Sequence, residues 1–202
     1  MKDLFIKGID PKRPTLFMLH GTGGTEHDLL PIAKLISPES SILSVRGNVS
    51  ENGMPRFFKR LAEGVFDEED LIFRTKELRD YLDGACSQYG IDRNNIVAVG
   101  YSNGANIAAS MLFHYENVLK GAILHHPMVP IRGLKLPDMS DLPVFIGAGK
   151  NDPICSAEET VELTELLRTA GANVNVHWEQ NGHHLTQSEV EAAQLWFSQK
   201  FS

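Results

Sequence analysis

A chain of 202 residues is long enough for one large domain to bury a substantial core without a disulfide or metal staple. Its 26 Asp and Glu against 19 Lys and Arg give a formal charge of -7, which argues against a nucleic-acid groove, because phosphate binding relies on clustered Lys and Arg. The start MKDLFIKGIDPKRP has no apolar signal core, and no apolar run reaches the roughly 18 residues of a spanning helix, so a soluble cytoplasmic protein without membrane insertion is expected.

In chain order, TLFMLH (15–20) reads as a buried strand running into the glycine cluster GTGG, and HDLLPIAKLI (27–36) as the helix behind it. SSILSV (40–45) is a second strand, and EEDLIFRTKELRDYLDGACSQYG a long helix closed by Gly90. Then follow the strand NIVAVG, a helix from about Asn103 to Tyr115, the strand GAILHH and the strand PVFIGAG. The chain finishes with the helix AEETVELTELLRTAG, the strand NVNVHWEQ and a helix over about 187–201. No repeat, low-complexity tract or linker divides it, so residues 1–202 are expected to form one domain. Strands this continuously apolar, alternating with amphipathic helices, predict the α/β class with an open, mostly parallel, doubly wound sheet.

Such sheets bind ligands beyond the carboxyl ends of their strands. The segments after the strands bring His20 to Gly24, Ser102, Met128, Asp152 and the pair His183 and His184 to one rim. Gly100 to Gly104, GYSNG, has the G-x-S-x-G pattern between a strand and a helix, where a serine is presented on a tight turn that only glycines can flank. A hydroxyl needs a base and a group orienting that base to attack at neutral pH. Asp152 stands where the acid is expected; Asp138 and Asp141 precede their strand and belong at its other end. His183, directly after Gly182, is the candidate base, and His184 is left to cover the site or face solvent. For an oxyanion, the backbone NH of Asn103 is one natural donor and the HGTGG loop supplies the other, Thr22 first and Gly23 as its neighbour. No H-E-x-x-H or Cys/His set supports a metal, and Cys86 and Cys155 form no C-x-x-C pair, so no metal or cofactor is expected.

With HGTGG, GYSNGAN, GAGKNDPIC and NGHHLT in this order, nearly the whole chain resembles the α/β-hydrolase superfamily. Within it, the chain is similar to small bacterial carboxylesterases and phospholipases related to acyl-protein thioesterases and dienelactone hydrolases. The stretch RGNVSENGMPRFFKRLAEGVFDEEDL looks like the loop of carboxylesterases associated with quinone or copper stress. The resemblance implies a serine hydrolase without an inserted cap domain, with Ser102, Asp152 and His183 as triad and the NH groups of Thr22 and Asn103 as oxyanion hole. It also implies a small-molecule ester as partner; the sequence itself does not fix the oligomeric state and leaves a homodimer open. Dienelactone hydrolases carry a cysteine at the elbow where this chain has Ser102, so their particular substrates are not implied.

Residues 46–66 are longer than a usual connection and hold Met54, Phe57, Phe58 and Phe66 among charges, which suits either a wall over an acyl or aryl pocket or a loop tucked onto the core. On the first reading Gly23, Met54, Phe57, Phe58 and Met128 line the substrate, and Arg56 or Arg60 meets an anionic group.

Overall fold

The computed structural model describes residues 1–201. The chain opens with β1 (Lys2–Ile6) and β2 (Thr15–Leu19), followed by α1 (Leu30–Ile36) and β3 (Ile42–Arg46). Two short hairpins come next, β4 (Val49–Glu51) with β5 (Met54–Arg56) and β6 (Arg60–Ala62) with β7 (Val65–Phe66). The remainder alternates: α2 (Glu68–Tyr89), β8 (Ile96–Tyr101), α3 (Asn103–His114), β9 (Gly121–His125), β10 (Pro143–Gly149), α4 (Ala157–Thr169), β11 (Asn173–Glu179) and α5 (Gln187–Lys200). Seven strands form one sheet in the order β1-β3-β2-β8-β9-β10-β11, parallel except where β1 pairs antiparallel with β3 at the edge.

Side-chain alternation along the strands sorts the core into two layers. Leu16, Met18, Val97, Val99 and Phe145 face α1 and α5, whereas Phe17, Leu19, Ala98, Leu124 and Ile146 face α2, α3 and α4. Each Leu or Phe buried this completely is worth about 1.5–3 kcal/mol relative to exposure. The mostly parallel α/β sheet agrees with the expected fold class, and the excursion between β3 and α2 is a pair of hairpins, not a cap domain. No helix among the described residues is long and apolar enough to cross a membrane.

Two local expectations are corrected. The helix expected from His27 begins only at Leu30, where Pro31 takes a first-turn position that suits its missing NH and fixed φ. β1 was not foreseen; its charged residues suit an edge strand, where one side meets water.

Candidate active site

β8 ends at Tyr101 and α3 begins at Asn103, so Ser102 alone turns the chain, with φ 51 and ψ -113. This is a costly conformation for a residue with a Cβ, and it is held from both sides. The Ser102 NH donates to the His125 carbonyl and the Ser102 carbonyl accepts from the Asn106 NH, both at 2.9 Å. A Cβ at Gly100 would sit 2.6 Å from the Ala105 nitrogen, and one at Gly104 would sit 2.0 Å from the Leu19 oxygen. The flanking glycines are therefore a steric requirement of the turn.

Ser102 Oγ lies 2.9 Å from His183 Nε2, and His183 Nδ1 lies 2.7 Å from Asp152 Oδ2. In the tautomer with hydrogen on Nδ1, the imidazole donates to the carboxylate and offers its Nε2 lone pair to the serine hydroxyl. His183 is fixed from behind: the Tyr101 hydroxyl donates to its carbonyl at 2.6 Å, and the preceding Gly182 NH donates to Asn151 Oδ1 at 2.9 Å. Asp152 is buried on the turn after β10. Burial raises its carboxyl pKa, but NH bonds from Cys155 and Ile154 to Oδ1, together with His183 and His126 on Oδ2, hold it below the usual range.

Thr22 and Asn103 line the same cleft as Ser102. The Gly23 NH is taken by the Pro55 carbonyl at 2.9 Å, whereas no described residue accepts from the NH of Thr22 or Asn103. The segment after β4 braces both: Arg56 Nη1 donates to Thr22 Oγ1 at 2.8 Å and the Phe57 NH to Asn103 Oδ1 at 2.7 Å. Asn103 opens α3, so its NH also carries the positive end of that helix.

Residues 46–66 divide their roles differently from the expectation. Phe57 and Phe58 do not line the cleft: both are fully buried, Phe57 against the His20 ring at 4.7 Å and Phe58 edge-on to Phe66 at 5.0 Å. Of the two readings of this loop, both rings follow the one tucked onto the core, not the assignment to the substrate. Gly23 and Met54 pack on one another outside the cleft: a Cβ on Gly23 would lie 3.7 Å from the Met54 sulfur. Met128 does reach the cleft wall, with Phe66, Ile154, Arg56 and Arg60. The cavity at Ser102 is small, about 40 Å³. A larger hollow of about 260 Å³, lined by Tyr115, Asp138 and Asp141, lies by the amino ends of β9 and β10, with none of the residues around Ser102.

Sequence reasoning missed His126 and Glu189. His126 Nδ1 stands 2.9 Å from Asp152 Oδ2, on the same oxygen as His183, and His126 Nε2 stands 3.1 Å from Glu189 Oε2. Glu189 Oε1 is paired with His125 Nδ1. Thr186, Gln187, Ser188 and Glu189 fit a capping box at the start of α5, a local role that hides the long-range one of Glu189. Thr186 Oγ1 does accept from the Glu189 NH, but the Glu189 carboxylate turns into the core. The readable signal was Gly147 inside β10, where a Cβ would lie 2.0 Å from Glu189 Oε1. His126, Asp152 and His183 are also the one set of three potential metal-ligand side chains among the described residues, within 4.8 Å, and these approaches are the hydrogen bonds just given.

A mostly parallel sheet with a serine elbow, and a histidine and an acid beyond its strands, defines an α/β-hydrolase. The chain belongs to the dienelactone hydrolase family, which it matches over residues 60–194. It is 59% identical over 199 residues to "Putative hydrolase MhqD" of Bacillus subtilis (strain 168), covering 98% of each chain. The crystal structure of the Bacillus cereus carboxylesterase is 65% identical, with a TM-score of 0.99 over 100% of this chain and 95% of that one. Acyl-protein thioesterase 1 of Cryptococcus neoformans is 30% identical over 76% of this chain and 72% of its own. These likenesses place the chain among hydrolytic enzymes with carboxylesterase and thioesterase relatives.

Proposed function

We propose that the protein is a serine esterase for small or medium carboxylic esters. Ser102 attacks the ester carbonyl while His183 takes the hydroxyl proton, and Asp152 orients the imidazolium that forms. The NH groups of Thr22 and Asn103 receive the developing oxyanion. His183 returns the proton to the leaving alcohol, and water then repeats the sequence on the acyl-enzyme. The observation that carries this reading is the unbroken run of hydrogen bonds from Ser102 through His183 to Asp152.

The thioesterase relative makes long acyl chains the second reading. The small cavity, walled by Phe66, Met128 and Ile154, favours short ones. Arg56 and Arg60 share the single carboxylate of Glu51, at 3.2 and 3.0 Å, so the wall carries a positive excess that suits an acyl group with an anionic end. Arg56 is only 3% exposed, unlike an arginine that merely solvates a surface.

The test is turnover of p-nitrophenyl esters from acetate to dodecanoate by the wild type and Ser102→Ala. The expected result is a preference for short chains and a loss in Ser102→Ala of about 10⁴-fold or more. Undiminished turnover by Ser102→Ala would overturn the serine mechanism. A rise in kcat/KM toward dodecanoate would favour the long-chain reading.

A further inference from the structure

Asp152 has two imidazoles on one oxygen, and the mechanism uses only one of them. The second, His126, is wholly buried between two carboxylates, with Nδ1 2.9 Å from Asp152 Oδ2 and Nε2 3.1 Å from Glu189 Oε2. A neutral imidazole has one N–H and one lone pair, and a lone pair aimed at an ionised carboxylate is repelled. With both carboxylates ionised, both ring nitrogens must donate, and His126 is then an imidazolium.

The backbone is arranged for this placement. His126 adopts φ 53, a positive value uncommon for residues other than glycine, and its NH is fixed on the Gly147 carbonyl at 2.7 Å. Gly147 lacks the side chain that would displace Glu189. His125, the residue before His126, holds the Ser102 NH through its carbonyl and Glu189 through its ring. One short segment thus ties the nucleophile's turn to the buried ion pair.

We propose that His126, kept as a cation by Glu189, is a positioning residue for the triad acid, given that Ser102 and His183 act as nucleophile and base. Its second bond to Oδ2 fixes the Asp152 carboxylate, and its charge limits how strongly that carboxylate attracts a proton onto His183. Burial opposes a charge on His126, but the bonds and fields of Glu189 and Asp152 raise its pKa. Burial likewise raises that of Glu189, whereas His125 and His126 hold it down at about 2. The other groups around His126 are the rings of His183 and Tyr101, with centroids at 5.1 and 6.0 Å, His125 beyond Glu189, and Arg56 and Arg60 in the same cleft.

Two measurements test this. In ¹⁵N-labelled wild type, side-chain resonances of His126 should show both ring nitrogens protonated at about pH 8, well above an ordinary histidine pKa. A ring with one unprotonated nitrogen would overturn the proposal without needing any variant to fold. In kinetics, the acidic limb of kcat/KM should move upward by about one pH unit in His126→Gln, a tenfold loss of activity at a pH below the limb. It should move less in Glu189→Gln, which removes an anion along with the need for the cation. Folded variants that lose activity with an unmoved limb would mark His126 as structural only. Ser102→Ala separates the two failures: if it retains turnover, the serine mechanism is wrong, and if it is dead while the limb stays fixed, only the role of His126 is wrong.

Discussion

The chain carries the dipeptide His-His twice, at 125–126 and 183–184, each time at or beyond the carboxyl end of a strand on the active rim. The two pairs were put to different uses by burial. In the outer pair, His183 bridges Ser102 and Asp152 with 15% of its side chain exposed, and His184 faces solvent. In the inner pair both rings are buried and both are bound to Glu189. An imidazole meant to shuttle protons needs one open nitrogen and a path to water; His126 instead has a carboxylate on each nitrogen and is buried from solvent. Asp152 Oδ2 is the point where the two kinds meet.

The comparison predicts opposite ratios of activity to stability. His183→Ala should lower kcat/KM by about 10⁴-fold, because no remaining group accepts the serine proton. The same variant should stay within about 1 kcal/mol of wild type in urea unfolding, since the side chain is partly exposed and its loss leaves no stranded charge. A His183→Ala enzyme within tenfold of wild type would remove His183 from the role of base. His126→Ala should instead cost about 3–5 kcal/mol in the same unfolding experiment, because it strands part of the Glu189 charge in the core. Equal stability losses in the two variants would erase the distinction between the pairs.

What was legible in the sequence follows the range of the forces involved. The elbow could be read because its strand, turn and helix are adjacent in the chain and the glycines at 100 and 104 answer to clashes within a few residues. Asp152 and His183 could be placed because strand order sends both to one rim. Asn52-Gly53 was a hairpin signal within residues 46–66 that went unused, and the two residues take φ 52 and φ 80 as such a turn requires. For Phe57 and Phe58 the sequence left a cleft wall and a loop tucked onto the core equally open, since the choice involves contacts such as that of the Phe57 NH with Asn103, 46 positions away. Nor did the sequence show the Glu189 pair, which needs α5 laid across β10 where Gly147 has no side chain.

Acid should separate the inner pair from the outer one. Glu189 is held down at about 2 in the folded protein against an ordinary value of 4.5. A carboxyl lowered on folding contributes stability that is full above its unfolded pKa and is lost as pH falls through the folded one. The contribution should therefore fade between about pH 4.5 and pH 2. Urea midpoints measured from pH 6 down to pH 3 should fall more steeply in the wild type than in Glu189→Gln, which has no such carboxyl to protonate. Parallel curves would show that the buried pair does not govern acid sensitivity.

The smallest effect is expected at His184, and it sharpens the assignment of its neighbour. The two residues differ by one position, yet the His184 NH bonds to the Asn181 carbonyl at 3.3 Å and its ring points out to solvent. Consecutive side chains leave a turn in different directions, so the bond from Tyr101 that fixes the His183 carbonyl also sets which imidazole enters the cleft. His184→Ala should keep kcat/KM within about twofold and stability within about 0.5 kcal/mol of wild type. A loss comparable to that of His183→Ala would mean that the loop exchanges its two histidines at the serine during turnover, and the fixed-base geometry would have to give way to a mobile one.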